Sequence, residues 1–401
     1  MSKRTQLSKR IWCELPDALL ERLLPLLPVS SLLRFRCVCK SWNSYILSSH
    51  FLRLCSTAHS VPPSPYAVGP HRCDSNSYLL ISTWSPDYPL LAYNPAHQTW
   101  HLPSIDFVSK DPELLSDYSL VAAAGGLLCV RESSGKLVVC NPVTKAMREI
   151  GIDIEDGHGS DSAALVVSLA SMMYDDLSRS FKVAVVCSCQ GDASKQVTCV
   201  YDSRRNSWTR EKQAEDIFFE SAGAFNGNDL FVVVDFPKRL MVMDATTTTW
   251  RAHAAGVPAA VKYPSLVVVE GALVLLGALG IDENHAESDR VDAYVVWRLT
   301  VEGVWEEVGR MPRAMFNQIG LNDGFEGLSC VALDQRIYMV SSEGSVLFDM
   351  RAAVAAQQDT MSSCDDLHWS FLPQSAILSG LFACIKDVYS MRPSLDTLET
   401  S

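Results

Sequence analysis

The feature that most restricts the fold of this chain is a repeat in its body. A β-rich run ends in Asn or Asp, in one case in Leu, and an apolar marker, mostly Trp, follows six residues later. The pairs are Asn94 with Trp100, Asn141 with Met147, Asp202 with Trp208, Asp244 with Trp250, Leu299 with Trp305, and, after a polar insertion, Asp349 with Trp369. The markers recur every 42 to 64 residues. Periods near 50 residues with several strands each are typical of propeller blades, so the repeat predicts about six blades.

The residue types in the repeat have physical reasons. Asn and Asp side chains hydrogen-bond to their own following backbone and so favour a reversal of the chain. A tryptophan that returns on the next strand has a large apolar area to bury, and we expect it to fill the space between neighbouring blades. The tryptophans are therefore predicted to be blade core, in preference to a set of ligand-binding aromatic rings.

Short β-rich runs occupy most of the body, and almost nothing between them has a convincing helical period. The predicted strands are Tyr78 to Ile81, Leu127 to Val130, Leu137 to Cys140, Phe181 to Cys187, Val197 to Tyr201, Leu230 to Val234, Leu240 to Met243, Leu266 to Val269, Leu273 to Leu276, Tyr294 to Leu299, Ile337 to Val340 and Val346 to Phe348. We expect the strand at Tyr78 to pair with the last strands near Trp369 to Leu372 and close the ring. The sequence thus predicts an all-β body.

The stretch from Leu15 to Phe51 has helical periodicity instead. Pro16 suits the first helical position, and Pro25 and Pro28 should end that helix. A second helix should be capped by Ser30, and a third should begin near Ser41. Three helices this small and this apolar have little interior of their own, which favours a module that docks on a partner.

The same stretch resembles an F-box. The pattern appears as Leu15-Pro16, Leu27-Pro28, Leu32 to Arg36, Val38 to Lys40, Trp42 and Phe51. The resemblance implies docking on the Skp-family adaptor of a cullin-based ubiquitin ligase; the alternative is a helical bundle that only caps the next domain. The positions that match adaptor contacts of the family are Leu15, Pro16, Leu20, Leu23, Pro28, Leu32, Leu33, Val38, Cys39, Lys40 and Trp42.

The body resembles the kelch-type propellers that follow F-boxes in many plant proteins. Met172 to Val186 is similar to the recurrent strand pair of that family, and Ala224 to Val234 and Val331 to Ser341 are similar to its second-strand segments. The kelch double glycine is intact only at Gly125-Gly126. The resemblance implies a small all-α F-box of three short helices followed by an all-β kelch-type propeller.

Composition and charge divide the chain into five parts. These are a basic tail at 1–10, the F-box at 11–56, a proline-rich linker at 57–75, the propeller at 76–385 and a C-terminal tail at 386–401. Residues 1–56 carry a net charge of +6 and the remainder −18, so the head fits an acidic protein partner and the body repels nucleic acid. No apolar run is long enough for a membrane span, and the 13 cysteines are expected to be reduced, in cytoplasm or nucleus.

The residues that enzymes and metal sites require are not arranged in any recognisable motif. Cys37 and Cys39, like Cys187 and Cys189, are separated by one residue where zinc sites use two or more, with no second pair following. The acidic segment 153–161 lacks the spacing of a calcium loop. We therefore predict no catalytic residue, no metal and no cofactor in this chain.

Two functions are compatible with these features. The first is the substrate-recognition subunit of a Skp–cullin–F-box ubiquitin ligase, whose propeller would hold an unidentified target protein for ubiquitination. The alternative is an F-box scaffold or sequestering factor that binds the adaptor outside a ligase. Target-binding residues are expected on long loops at one mouth of the propeller, and the candidates are 153–161, 281–290 and 350–366.

Overall fold

The fold is known from a computed structural model. It describes residues 17–27, 29–46, 48, 50–51, 54–55, 77–83, 90–101, 107–108, 118–151, 165–189, 192–212, 218–219, 223–235, 237–258, 260–280, 291–319, 328–341, 343–358, 368–373, 385–392 and 398. The predicted basic tail at 1–10 and the predicted linker at 57–75 lie outside these residues, as do Leu15, Pro16 and Pro28.

In the N-terminal stretch, which we call the helical unit, residues 50–51 and 54–55 are helical, and the described residues also form the three predicted short helices. They are α1 Asp17–Leu23, α2 Val29–Arg36 and α3 Lys40–Ile46, and a 3-10 turn at Leu24–Leu26 follows α1. The α-helix gives way to this turn just before Pro25, as proline's missing donor requires. The second helix already begins at Val29, so Ser30 lies inside it and the predicted cap at Ser30 is wrong.

The body consists of six antiparallel sheets, which confirms the predicted propeller of about six blades. Blade 1 contains β1 Tyr78–Thr83, β2 Leu90–Asn94, β3 Thr99–His101 and β25 Ile385–Met391. Blade 2 contains β4 Tyr118–Ala124, β5 Leu127–Glu132, β6 Leu137–Cys140 and β7 Met147–Ile150. Blade 3 contains β8 Leu165–Asp175, β9 Ser180–Cys189, β10 Asp192–Asp202 and β11 Ser207–Lys212.

The remaining three blades follow in chain order. Blade 4 contains β12 Phe218–Phe219, β13 Ala224–Asn226, β14 Asp229–Asp235, β15 Arg239–Asp244 and β16 Trp250–Ala252. Blade 5 contains β17 Val261–Val269, β18 Ala272–Gly280, β19 Val291–Leu299 and β20 Trp305–Arg310. Blade 6 contains β21 Ser329–Leu333, β22 Arg336–Val340, β23 Ser345–Asp349 and β24 Trp369–Phe371. Each of the twelve predicted β-rich runs lies within one of these strands.

The six markers of the sequence repeat occupy one equivalent position in the six blades. Each marker is the first or second residue of the outermost strand of its blade. It pairs with a residue near the end of the third strand. The pairs are Tyr93 with Trp100, Cys140 with Met147, Tyr201 with Trp208, Met243 with Trp250, Leu299 with Trp305 and Phe348 with Trp369. The preceding Asn or Asp makes the expected turn, since Asp244 Oδ1 accepts a hydrogen bond from the Thr246 N–H at 2.6 Å.

The marker tryptophans pack between neighbouring blades, as the sequence predicts. Trp369 is buried and the other four are half-buried. Trp250 Nε1 donates a hydrogen bond to Thr198 Oγ1 of blade 3, and Trp305 Nε1 donates to the Gly256 carbonyl at the end of blade 4. Blade 2 is the exception, because its marker Met147 keeps 41% of its surface exposed and does not fill such a space.

The ring closes differently from the prediction. The strand β1 pairs with β25, in the register Leu79 with Ser390 and Ile81 with Val388, whereas the segment from Trp369 pairs inside blade 6. The predicted pairing of Tyr78 to Ile81 with Trp369 to Leu372 is therefore wrong. Residues 386–391, assigned from sequence to the C-terminal tail, instead form most of the innermost strand of blade 1.

Further contacts hold this last strand in place on both sides. The Tyr389 hydroxyl donates to the Leu120 carbonyl of blade 2, and burial raises the pKa of Tyr389, so the hydroxyl keeps its proton. The Arg392 backbone N–H donates to the Gly125 carbonyl of blade 2, and its guanidinium lies 2.9 Å from the Asp334 carboxylate of blade 6. The C-terminal strand thus joins the first, second and last blades.

The described part of the body also contains two helices that the sequence patterns did not predict. Helix α4, Arg313–Gln318, follows blade 5, and helix α5, Met350–Gln358, lies between β23 and β24. Phe316 and Ile319, with Met350 and Ala353, join the buried cluster between blades 5 and 6. Helix α5 occupies the first half of the segment 350–366, so describing that whole segment as a loop was wrong.

Strand order defines two faces of the propeller. Because neighbouring strands are antiparallel, the first–second and third–fourth turns of every blade lie on one face, which we call the turn face. The second–third turns and the connections between blades start from the other face, which we call the connection face. The strand β1 begins on the turn face, so the chain enters the propeller from the helical unit on that side.

Candidate functional site

The helical unit has a small core of its own. Its fully or nearly buried side chains are Leu24, Leu32, Trp42, Ile46, Phe51 and Cys55. Phe35 meets Trp42 edge to face at 5.4 Å between ring centroids. Cys39 precedes α3, and its Sγ accepts a hydrogen bond from the Trp42 N–H at 3.4 Å, which caps the helix start. This core fixes the three helices relative to one another.

The predicted adaptor contacts divide into buried and exposed side chains. Leu32 is fully buried and Trp42 is 7% exposed, so in this fold both pack inside the helical unit. Leu20 and Cys39 are half-buried, while Leu23, Val38 and Lys40 are exposed. The side chain of Leu33, and the residues Leu15, Pro16 and Pro28, lie outside the described part of the chain.

Among the side chains that the structure describes in the helical unit, three large apolar ones face solvent, and we call them the exposed apolar set: Leu19, Leu23 and Val38, which are 44%, 55% and 56% exposed. Leu19 and Leu23 are four residues apart on α1 and therefore share one helix face. Leu19 is absent from the prediction, although the i, i+4 spacing from Leu23 was available in the sequence. Arg22, Arg34 and Lys40 are exposed on the same unit. A surface that carries both exposed apolar side chains and cations suits an acidic protein surface with an apolar centre.

The candidate target loops leave the propeller on different faces. The segment 153–161 connects β7 to β8 and 281–290 connects β18 to β19, so both start and end at strand ends on the connection face. The segment 350–366 connects the third and fourth strands of blade 6, which end on the turn face. The expectation that all three meet at one mouth is therefore wrong. The residues of the first two segments, and 359–366, lie outside the described ones.

The described ionisable side chains do not point to a metal site or a reactive thiol. Among the residues that the structure describes, no group of three His, Cys, Asp or Glu side chains is placed to hold a metal ion. Burial raises the pKa of the Cys140 thiol to about 12 and that of Cys330 to about 11, so both are protonated at neutral pH. None of the helices in the described part is long and apolar enough to cross a membrane.

Comparison with known proteins agrees with this arrangement of helical unit and propeller. The family model described as F-box domain matches residues 12–54, and the one described as KIB1-4 beta-propeller matches residues 93–325. The second match covers more than half of the chain. The class is therefore an F-box protein with a six-bladed propeller, and the chain belongs to the KIB1-4 beta-propeller family. This architecture is typical of non-catalytic adaptors, and neither match indicates an enzyme family.

Three curated proteins of Arabidopsis thaliana are among those similar to this chain. F-box only protein 6 is 25% identical over 76% of this chain and 60% of its own length. F-box/kelch-repeat protein At5g43190 is 26% identical over 62% of this chain and 56% of its own length. F-box/kelch-repeat protein At3g61590 is 25% identical over 84% of this chain and 81% of its own length. The chain thus spans somewhat more than half the length of the first two.

Proposed function

We propose that this chain is the substrate-recognition subunit of a Skp–cullin–F-box ubiquitin ligase. The observation that carries the proposal is the exposed apolar set on a helical unit that already has its own core. Apolar side chains left in water on a unit of this size are suited to burial against another protein. The F-box match supports a Skp-type adaptor as that protein, and the adaptor would bring the cullin with it.

The propeller would then hold the target protein. A rigid ring of blades with connections of variable length is a common scaffold for recognition. We place the target on the connection face, because the chain enters on the turn face and the helical unit occupies that side. The ligase partners supply the chemistry, and this chain contributes by bringing target lysines and activated ubiquitin together. Such a complex would work in the cytoplasm or the nucleus.

Co-purification tests the proposal. A Leu23→Asp/Val38→Asp variant places two carboxylates in the proposed adaptor interface. Loss of two central apolar contacts costs about 3 kcal/mol, or roughly 100-fold in affinity, so the adaptor should no longer co-purify. The control is Leu177→Asp, since Leu177 is 93% exposed but lies in the β8–β9 turn of the propeller. The control should retain both adaptor and cullin.

The other outcomes separate the alternatives. Adaptor without cullin on the unmodified chain would favour the F-box scaffold or sequestering factor. A double variant that keeps the adaptor while the control also keeps it would refute the exposed apolar set as the interface. Absence of both partners from the unmodified chain would refute the ligase role altogether.

A further inference from the structure

One propeller side chain joins the core of the helical unit in the described part of the chain. Val143 of blade 2 packs against the cluster that contains Leu24, Leu32 and Phe51. Val143 lies in the turn between β6 and β7, residues 141–146, which we call the docking turn. The helical unit and the propeller therefore share an apolar contact in addition to the chain that connects them.

The docking turn is held firmly enough to present Val143 in one position. Asn141 is fully buried, and its Oδ1 accepts hydrogen bonds from the N–H groups of Val143 at 2.9 Å and Thr144 at 3.3 Å. The Asn141 backbone also bonds to Ala146 and Lys145, each at 2.8 Å. An Asx turn closed at both ends leaves the backbone around Val143 little freedom.

The position of the docking turn suits a contact with the helical unit. The turn lies on the turn face, where β1 begins, and blade 2 adjoins blade 1 through the bond from Tyr389 to Leu120. Blade 2 is also the blade whose marker is not tryptophan. Met147, the residue after the turn, is 41% exposed and does not seal the blade against its neighbour. Two apolar side chains, Val143 and Met147, are thus available at this turn.

We propose that the docking turn of blade 2 is the site on which the helical unit is held against the propeller. The unit would then carry its exposed apolar set at a fixed orientation relative to the connection face. The contact itself does not depend on the ligase role. Its consequence does rest on the proposed function: a fixed orientation would set the distance between a target on the propeller and ubiquitin carried by the cullin assembly.

The test uses the full-length chain with one substitution at a time. Val143→Asp places a carboxylate against the apolar core of the helical unit, and Val301→Asp makes the same change in the β19–β20 turn of blade 5, where Val301 is 100% exposed. Amide hydrogen exchange of α1 to α3 and small-angle scattering are measured on both. Val143→Asp should speed exchange in these helices about tenfold and enlarge the radius of gyration, and Val301→Asp should do neither.

Further readings from the same samples make the result decisive. Val143→Ala, which removes two methyl groups without adding charge, should shift exchange in the same direction by a smaller factor. If Val143→Asp and Val143→Ala leave both measurements at the values of the unmodified chain, the docking turn is refuted. Adaptor co-purification keeps the two proposals apart: Val143→Asp should retain the adaptor, whereas Leu23→Asp/Val38→Asp should lose it with unchanged scattering.

Discussion

Replacing Trp250 with alanine should destabilise the propeller measurably, although less than a fully buried tryptophan would. Trp250 packs against Phe219 and the buried cluster between blades 3 and 4, but its ring is only half-buried. Roughly 100 Å² of lost apolar burial corresponds to about 2.5 kcal/mol at ~25 cal/mol per Å². The hydrogen bond from Nε1 to Thr198 Oγ1, 2.8 Å long, contributes about 1 kcal/mol. The expected loss is about 3–4 kcal/mol in the free energy of unfolding.

Thermal unfolding followed by circular dichroism measures this effect. For a domain of this size 1 kcal/mol corresponds to about 2 °C, so Trp250→Ala should lower the midpoint by roughly 6–8 °C. Trp250→Phe keeps most of the ring and should lower it by about 2–3 °C. The loss in the double variant Trp250→Phe/Thr198→Val should be smaller than the sum of the two single losses, because both changes remove the same hydrogen bond.

The matched control is Met147→Ala, because Met147 occupies the same position of the repeat but is 41% exposed. Its midpoint should change by about 1 °C or less. Equal shifts for Trp250→Ala and Met147→Ala would show that the marker position is not an inter-blade core position. The tryptophans of the repeat would then not stabilise the packing between neighbouring blades.

Two further changes test the turns of the blades. Gly125→Ala should destabilise the protein more than Gly227→Ala. Both glycines have φ near +60°, so the backbone strain is similar. A Cβ at Gly125 would lie 2.6 Å from a tyrosine ring of blade 3, whereas no atom beyond the neighbouring residues lies within 4 Å of a Cβ at Gly227. The denaturation midpoints of the two variants check this, and equally lowered midpoints would refute the clash between the added Cβ and the tyrosine ring. Hydrogen bonds from the backbone N–H groups of Thr246 and Thr247 lower the pKa of Asp244, so the stability it contributes is present at neutral pH and is lost as pH falls below about 4. Asp244→Asn keeps a hydrogen-bond acceptor that does not titrate, so the unfolding midpoint should fall less between neutral and acid pH. If it falls as much as in the unmodified chain, the carboxylate of Asp244 does not make this contribution.

The repeat was readable from the sequence because its causes are local. An Asp or Asn that turns the chain and a tryptophan six residues later belong to one hairpin, so their spacing survives in the sequence whatever surrounds them. The same locality made the β-rich runs predictable. Short helices were missed because α4 and α5 each offer too few residues for a clear period and are stabilised by burial between blades 5 and 6.

In the helical unit, the sequence supplied the residues but not their exposure. Leu32 and Val38 are both apolar and both match the family pattern, yet the first is fully buried and the second is 56% exposed. Periodicity within one helix cannot separate these cases, because the exposure of a side chain depends on how the helices pack around the shared core. The assignment of contact residues therefore required the three helices to be assembled.

The sequence by itself determined that this chain has a helical head and a ring of about six blades, since turn chemistry and hydrophobic spacing act over a few residues. The tertiary structure alone decided how the ring closes, which loops share a face and where Val143 meets the helical unit. Those features depend on pairing between residues far apart in the chain, such as Leu79 with Ser390. The backbone donors and acceptors are the same in every strand, so they do not specify which strands pair. The pairing is fixed only when the ring of blades is closed.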